Sequence, residues 1–410
     1  MLHYASPPTV GGVEFTMLHH ALVLADLGYP VNIVTGAGVA FDPRIKTYVE
    51  PLFGSRHPAV LRAKQALDTG EADEAFNDLV AQMLTALHTA LDDCEVVIAH
   101  NVPTLNKNLP LTAALHRYTE ARPTLHLIAW THDLAWTNPQ YLPELHDAYP
   151  WNLMRTRWPR ADYVTVSEPR RVEVAELLGM PPDDVTVIVP GVDPVSFYAM
   201  TPTTRMLTTR LDLLDADGLL LLPARLTRRK NIALALRVLA EMIAQTGRDY
   251  RVIVTGPPGP HNPTNMGYLG ELLELRAALG LEEKAHFLYA YGEGDAPLIP
   301  DNDTMANLYH LCDALFFPST QEGFGIPILE AAFAGLPIFC SDIPPFRATG
   351  GEDVAVYFDP EHEPPPTIAR RILTALEANT THRMRVRVRR TYRWESVVRA
   401  HLVPLIERNV

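Results

Sequence analysis

Short apolar, β-branched runs alternate with amphipathic stretches along this chain, beginning with a helical pattern over residues 13–27 and the run Val31-Asn32-Ile33-Val34-Thr35. Alternation of that kind predicts parallel β/α units. Further strands are predicted at residues 96–100, 125–130, 163–166 and 185–189, each beside a helix-like segment. The first half therefore predicts one open, doubly wound sheet.

The pattern pauses at Pro190-Gly191-Val192-Asp193-Pro194 and through the polar residues 201–209, then restarts at Leu219-Leu220-Leu221-Leu222. A linker is expected near residues 193–210. Beyond it, strands are predicted at residues 251–255, 286–289, 314–317, 338–340 and 354–358. The expected architecture is α/β, with two Rossmann-like doubly wound domains, residues 1–195 and 196–392. Open sheets bind ligands beyond the carboxyl ends of their strands, so two facing sheets would set two such edges across an interdomain cleft.

Composition narrows the function. At 410 residues the chain exceeds one ordinary domain, and a hydrophobic content of 47% suffices for two cores. A net charge of -13 offers no general attraction to nucleic acid or anionic lipid. The cysteines, Cys94, Cys312 and Cys340, are an odd set without C-x-x-C spacing, which predicts buried thiols in a reducing cytoplasm. No export leader and no run of about 18 apolar residues is expected to direct the chain into or across a membrane. The sequence lacks G-x-x-x-x-G-K-[ST], G-x-S-x-G and H-E-x-x-H, which removes P-loop ATPase, serine hydrolase and zinc protease. Gly36-Ala37-Gly38, Gly292-Glu293-Gly294 and Gly323-Phe324-Gly325 each lack the third glycine of a dinucleotide fingerprint. Asp215-Ala216-Asp217 and Asp301-Asn302-Asp303 have D-x-D spacing but sit in polar loops, and are expected to be solvated turns.

The informative segment is Ser319-Thr320-Gln321-Glu322-Gly323-Phe324-Gly325-Ile326-Pro327-Ile328-Leu329-Glu330, directly after the predicted strand at 314–317. It reads as strand, glycine loop and short helix, with Pro327 suited to a first helical position and Gly335 to the stop. Free amides around Gly325 to Ile328 are then expected to point beyond the strand ends, an arrangement that suits phosphate. Two carboxylates beside phosphate need hydroxyl donors, and sugar hydroxyls meet that need at Glu322 and Glu330. Taken singly, each Glu reads equally well as a solvated loop or first-turn residue.

These residues resemble the retaining, nucleotide-sugar-dependent glycosyltransferases of the two-domain GT-B fold, specifically glycosyltransferase family 4, whose E-x7-E element is similar to Glu322–Glu330. The resemblance implies that Glu322 contacts the donor sugar, Glu330 the nucleotide ribose, and the amides of Gly323, Phe324, Gly325 and Ile326 the diphosphate. Ala224-Arg225-Leu226-Thr227-Arg228-Arg229-Lys230-Asn231 resembles the segment that supplies an Arg and a Lys to the diphosphate, here Arg225 and Lys230. Both follow a strand end, where paired cations can neutralise a leaving group. Pro7-Pro8-Thr9-Val10-Gly11-Gly12-Val13-Glu14 is similar to the family's first glycine loop, with Gly12 for donor phosphate or acceptor and Gly11 at the cleft; alone, the glycine pair equally makes a tight turn. His132 looks like the family's strand-end histidine near the reacting sugar, and Ser167 like its cleft serine.

Where Pro190 stands many relatives have Asn, and where Ala348 stands many have Glu. Tyr392-Arg393-Trp394-Glu395 is similar to the start of the last helix, so that residues 393–410 would complete the first domain. Arg383, Arg385, Arg387, Arg389, Arg390 and Arg393 precede or join it. They read as a solvated helix face or as a docking patch for anionic lipid or a phosphorylated acceptor, which leaves peripheral contact with the inner face of a membrane open. Pro139, Tyr141, Trp136, Trp151 and Trp158 read as packing or as an acceptor groove.

The expected activity is transfer of a hexosyl unit, with retention, from a nucleoside-diphosphate sugar to a hydroxyl of a sugar, glycan, lipid-linked or small-molecule acceptor. The donor is a co-substrate. No separate cofactor, no metal and no nucleic-acid partner is expected. The alternatives are a glycan phosphorylase or sugar-nucleotide epimerase of the same architecture, and a non-catalytic nucleotide-sugar-binding protein.

Overall fold

A computed structural model describes residues 1–67, 70, 72–258, 264–292, 296–353 and 355–409, without the side chains of 264–266 and 409. Its described residues divide into two compact units, Met1–Gly191 with Tyr392–Val410, and Val192–Thr391. The middle glycine motif at 292–294 and the first residue of the strand expected at 354–358 reach outside the described residues.

In the first unit the strands are β1 (Leu2–His3), β2 (Asn32–Thr35), β3 (Lys46–Val49), β4 (Val96–His100), β5 (His126–Thr131), β6 (Ala161–Thr165) and β7 (Val185–Val187). They form one parallel sheet in the order β3-β2-β1-β4-β5-β6-β7. The chain runs outward from β1 in one direction and, after β4, in the other. The gap between β1 and β4 is therefore the topological switch point, where flanking loops diverge and leave a crevice. Apolar cores cover both faces of this sheet.

The second unit repeats the plan with β8 (Gly218–Leu222), β9 (Tyr250–Val254), β10 (Ala285–Phe287), β11 (Ala314–Phe317), β12 (Ile338–Ser341) and β13 (Val356–Phe358). Their order is β10-β9-β8-β11-β12-β13, again parallel, with the switch point between β8 and β11. All residues of β8, β9 and β11 are buried, so β8 and β11 are continuous apolar runs, while β9 is interrupted by Arg251, which pairs with Asp249. Gly218 opens β8 because a Cβ there would lie 2.6 Å from the Tyr250 ring.

Residues 193–210, expected as a linker, instead fold as the helices Pro194–Phe197 and Pro202–Arg210. Asp193 and Thr201 cap them through side-chain oxygens, and Thr204, Leu207 and Thr208 are buried. The threonines that made the stretch look solvated satisfy one another: Thr201 Oγ1 lies 2.9 Å from Thr204 Oγ1 and 3.0 Å from Thr304 Oγ1. Asp217, expected in a solvated turn, is buried. It accepts from the Asp249 amide at 2.8 Å and pairs with Arg390.

The C-terminal segment packs on the first unit's sheet through Val397, Val398, Leu402 and Leu405. Its helix widens to a π-turn over Val398–Leu402, two residues before Pro404. The proline ring would crowd the carbonyl four residues back, and the wider turn relieves that clash. Gly191 permits the contact, since a Cβ would come 2.8 Å from the Trp394 nitrogen.

Candidate functional site

In the second unit the loops after β8 and β11 meet at the switch point. Thr320 donates its amide to the Arg229 carbonyl at 2.8 Å, which stitches the two loops together. Lys230 Nζ pairs with Glu322 Oε1, and Arg229 Nη1 reaches Glu322 Oε2 at 3.1 Å and the Gln321 carbonyl at 3.0 Å. Side-chain exposure is 11% for Lys230 and 10% for Glu322, so the pair is largely withdrawn from water. Burial lowers the Lys230 pKa, and Glu322 acts in the opposite sense. The ammonium also lies 4.9 Å from the centroid of the Phe317 ring. Arg225 is exposed and forms no ion pair among the described residues.

Beyond Glu322 the chain turns into the helix Ile326–Phe333 through Gly325, whose φ of +102° disfavours any other residue. A Cβ at that position would also come 2.9 Å from the Phe346 ring. No side chain caps this helix. Among the described residues the amides of Gly323, Phe324, Gly325 and Ile326 have no protein acceptor, which leaves them free for an anion, whereas the Ile328 amide, expected to be free, closes a turn by donating to the Gly325 carbonyl at 2.9 Å. Thr349 Oγ1 donates to the Phe324 carbonyl at 2.6 Å and steadies the loop. Glu330 accepts from the Tyr309 hydroxyl at 2.6 Å, which leaves its other carboxylate oxygen available. A cavity of about 570 Å³ opens beside Arg229, Thr320, Gln321 and Glu322, closed on its other side by Ile343, Pro344 and Pro345. This arrangement can take an anion on amides and cations, and hydroxyl groups on two carboxylates.

The first unit places His132, Gly11, Gly12 and Ser167. His132 follows β5, and its Nε2 lies 3.1 Å from Nδ1 of His100 at the end of β4. Asn101, with a left-handed φ of +58°, accepts from the amides of His132 and Asp133 at 2.8 and 3.1 Å and shapes that loop. Burial drives the His132 pKa down to about 3, with His3 adding to the effect. His20 is likewise pushed down to about 3 by burial, with His132 and His19 contributing. His100, buried between His132, His20 and His3, also falls well below the ordinary value. Indole rings surround them: His20 lies 4.8 Å from Trp130 in a tilted arrangement and 5.3 Å from Trp394 edge-on, between ring centroids.

Gly11 and Gly12 open the helix Gly12–Asp26, which carries no side-chain cap. Space beside Gly12 is open, for a Cβ there meets nothing within 4 Å. Ser167 caps the helix Glu168–Leu178, accepting from the Arg170 amide at 3.4 Å, so its visible work is structural. Trp151 and Trp158 are buried, and each donates its indole N–H to a backbone carbonyl, as does Trp136. They pack the first unit's core.

Several arginines of the basic stretch are anchors rather than a solvated face. Arg389 pairs with the fully buried Asp313 at 2.6 Å, Arg390 with Asp217, and Arg385 donates to the carbonyls of His310 and Leu311. These pairings favour a structural role over lipid docking.

Arg229, Tyr309, His100, His20 and Asn101 were not singled out above. Only His100 carried a signal, as the last residue of a predicted strand. Among the described residues no group of three or more His, Cys, Asp or Glu side chains is placed to hold a metal ion.

Two family descriptions match the chain: Glycosyltransferase Family 4 over residues 10–195 and Glycosyl transferases group 1 over residues 211–391. An uncharacterised glycosyltransferase of Methanocaldococcus jannaschii is 27% identical over 183 residues, 44% of this chain and 42% of that protein. The D-inositol 3-phosphate glycosyltransferase of Rhodococcus erythropolis is 28% identical over 182 residues, 44% of this chain and 37% of the relative. The chain thus spans about two fifths of the length of these curated relatives. Mannosylglucosylglycerate synthase of Petrotoga mobilis is 21% identical over 372 residues, 85% of this chain and 83% of the synthase.

Proposed function

The chain belongs to glycosyltransferase family 4, with the two Rossmann-like units of the GT-B fold, and we propose that it is a metal-independent, retaining hexosyltransferase using a nucleoside-diphosphate sugar. The observation that carries this reading is the meeting of Lys230, Arg229 and Glu322 with the uncapped amides of residues 323–326 at the β8–β11 switch point.

In glycosyl transfer the sugar passes through an oxocarbenium-like state. Negative charge meanwhile grows on the departing diphosphate. Lys230, Arg225 and the loop amides supply fixed positive charge there, which stabilises the transition state more than the ground state. Glu322 keeps lone pairs beyond those used by Lys230 and Arg229, and accepts from donor-sugar hydroxyls. Glu330, held by Tyr309, accepts from the ribose diol. A phosphate oxygen on the acceptor's side takes the acceptor proton, so the first unit need not supply a strong base. His132, neutral through burial, bonds sugar hydroxyls without adding charge. The donor is a co-substrate, and the cationic side chains stand where a divalent ion would otherwise act. No described helix is long and apolar enough to cross a membrane.

Thermal stabilisation against UDP, GDP and ADP sugars, with and without chelator, tests the donor assignment. A shift that survives chelation is expected; a shift abolished by chelator would remove metal independence. Proton NMR of the product's anomeric centre then tests retention, and an inverted product would remove that part of the reading.

A further inference from the structure

Two histidine rings meet at the carboxyl ends of β4 and β5, where His100 Nδ1 and His132 Nε2 lie 3.1 Å apart. Burial keeps both neutral, with the His132 pKa at about 3 and that of His100 well below the ordinary value. Each ring therefore carries a single proton, and across the contact one nitrogen donates while the other accepts. His100 is held from behind, since its carbonyl accepts from His3 Nδ1 at 2.8 Å. It is fully buried, and its second nitrogen, Nε2, has no protein partner among the described residues. His132 is only half-buried, and its second nitrogen, Nδ1, is the one left for a ligand.

The rings around His100 decide where the proton lies. Between centroids Trp130 is 5.4 Å and His20 6.4 Å from it, and Trp394 lies 5.3 Å from His20. The indole nitrogens of Trp130 and Trp394 are buried without a protein acceptor, and an indole can only donate. Neutral His20, whose ring nitrogens also lack protein partners, adds as many donors as acceptors. Donors thus already outnumber acceptors among these rings. A bare Nε2 on His100 offers them a lone pair, whereas an N–H there would add one more buried donor without an acceptor.

We infer that His100 is a positioning residue: it donates from Nδ1 to Nε2 of His132 and so keeps the His132 proton on Nδ1, which makes His132 a hydrogen-bond donor to a substrate oxygen. Such a histidine takes no proton from a hydroxyl, because the nitrogen left for substrate already carries one. Free neutral histidine in water favours the opposite tautomer, with the proton on Nε2, so the arrangement depends on His100. The link to sugar transfer rests on the glycosyltransferase reading; the position of the proton does not.

Two-bond 1H–15N correlation spectra of the whole chain, labelled at the histidine nitrogens and assigned through His132→Asn, locate the proton directly. At pH 7 a protonated Nδ1 is expected on His132, and an Nε2–H pattern in His100→Phe, which keeps a ring but removes the donor. In that variant kcat is expected to fall about tenfold while nucleotide affinity and the first unit's Tm hold. His100→Asn, whose amide N–H can stand where Nδ1 stood, should restore Nδ1–H on His132 and part of kcat. A parent spectrum with the proton on His132 Nε2, or with a charged His132 ring, overturns the inference, and so does a His100→Phe spectrum with the tautomer unchanged. If the proton lies on Nδ1 and no nucleoside-diphosphate sugar is turned over, the transferase reading falls and the role of His100 in setting the tautomer stands. If transfer occurs and the proton lies on Nε2, the reverse holds.

Discussion

In the second unit Glu322 is neutralised by Lys230 and Arg229, whereas in the first unit His132, His100 and His20 form no ion pair among the described residues and stay neutral through burial. Both sets belong to units built on one doubly wound parallel sheet, so topology alone does not account for the difference. The second unit holds Lys230 and Arg229 paired with Glu322, cations that an anion can share without the cost of creating charge in a dry site. The first unit instead sets His132, His100 and His20 among the rings of Trp130 and Trp394. A ligand with growing negative charge suits the former; a hydroxyl to be held beside the reacting carbon suits the latter.

Breaking the paired side should have the largest effect. Lys230→Ala removes the buried ammonium but leaves Glu322 its bond to Arg229. Turnover is expected to fall about 10²–10³-fold, while nucleotide affinity changes less than about tenfold. Steady-state kinetics with a parallel nucleotide titration checks this, and equal losses in both would deny Lys230 a role specific to the transition state.

Acid tests the other side. His20 has a folded pKa of about 3 against an ordinary 6.5, so on acidification the unfolded chain takes up protons first. Its contribution to stability is complete above pH 6.5 and is lost progressively as pH falls toward 3. Between pH 7 and 5 the loss is about 2 kcal/mol for His20 alone. Trp130 and Trp394 fluorescence follows the first unit's melting, and the slope of Tm against pH should flatten in His20→Gln. A parent Tm that does not move over this window would contradict the neutral, buried cluster.

Glu330→Gln sharpens the comparison within the second unit, because it removes charge from a carboxylate that has a tyrosine, not a cation, as partner. Nucleotide affinity is expected to weaken about tenfold with little change in melting temperature. An unchanged affinity would take the ribose away from Glu330.

How much of this the chain disclosed depended on whether a signal was local. Strands β4 and β11 were legible to the residue because each is an uninterrupted apolar run between polar loops. β1 has two residues, and β3, Lys46–Val49, lies on an edge with partly exposed side chains, so neither leaves an apolar run. The threonine-rich stretch 201–209 misled because its hydroxyls bond to residues about 100 positions away. Glu322, Glu330 and Lys230 could be read from motif spacing. Arg229 and Tyr309 could not, since their partners lie 93 and 21 residues off and only the crossing of loops brings them together.

Gly12 offers the finest test of what the first unit's glycine loop is for. Neither a positive φ nor a close neighbour demands glycine there, since a Cβ would meet nothing within 4 Å. Gly12→Ala should therefore leave the unliganded protein intact, shifting stability by no more than about 1 kcal/mol and in the favourable direction, because alanine is the better helix former. A ligand that approaches the helix amides closely would still meet the added methyl. The expected pattern is an unchanged or slightly raised Tm together with a severalfold rise in acceptor KM and constant nucleotide affinity. If KM holds as well as Tm, the glycine serves only the turn into its helix.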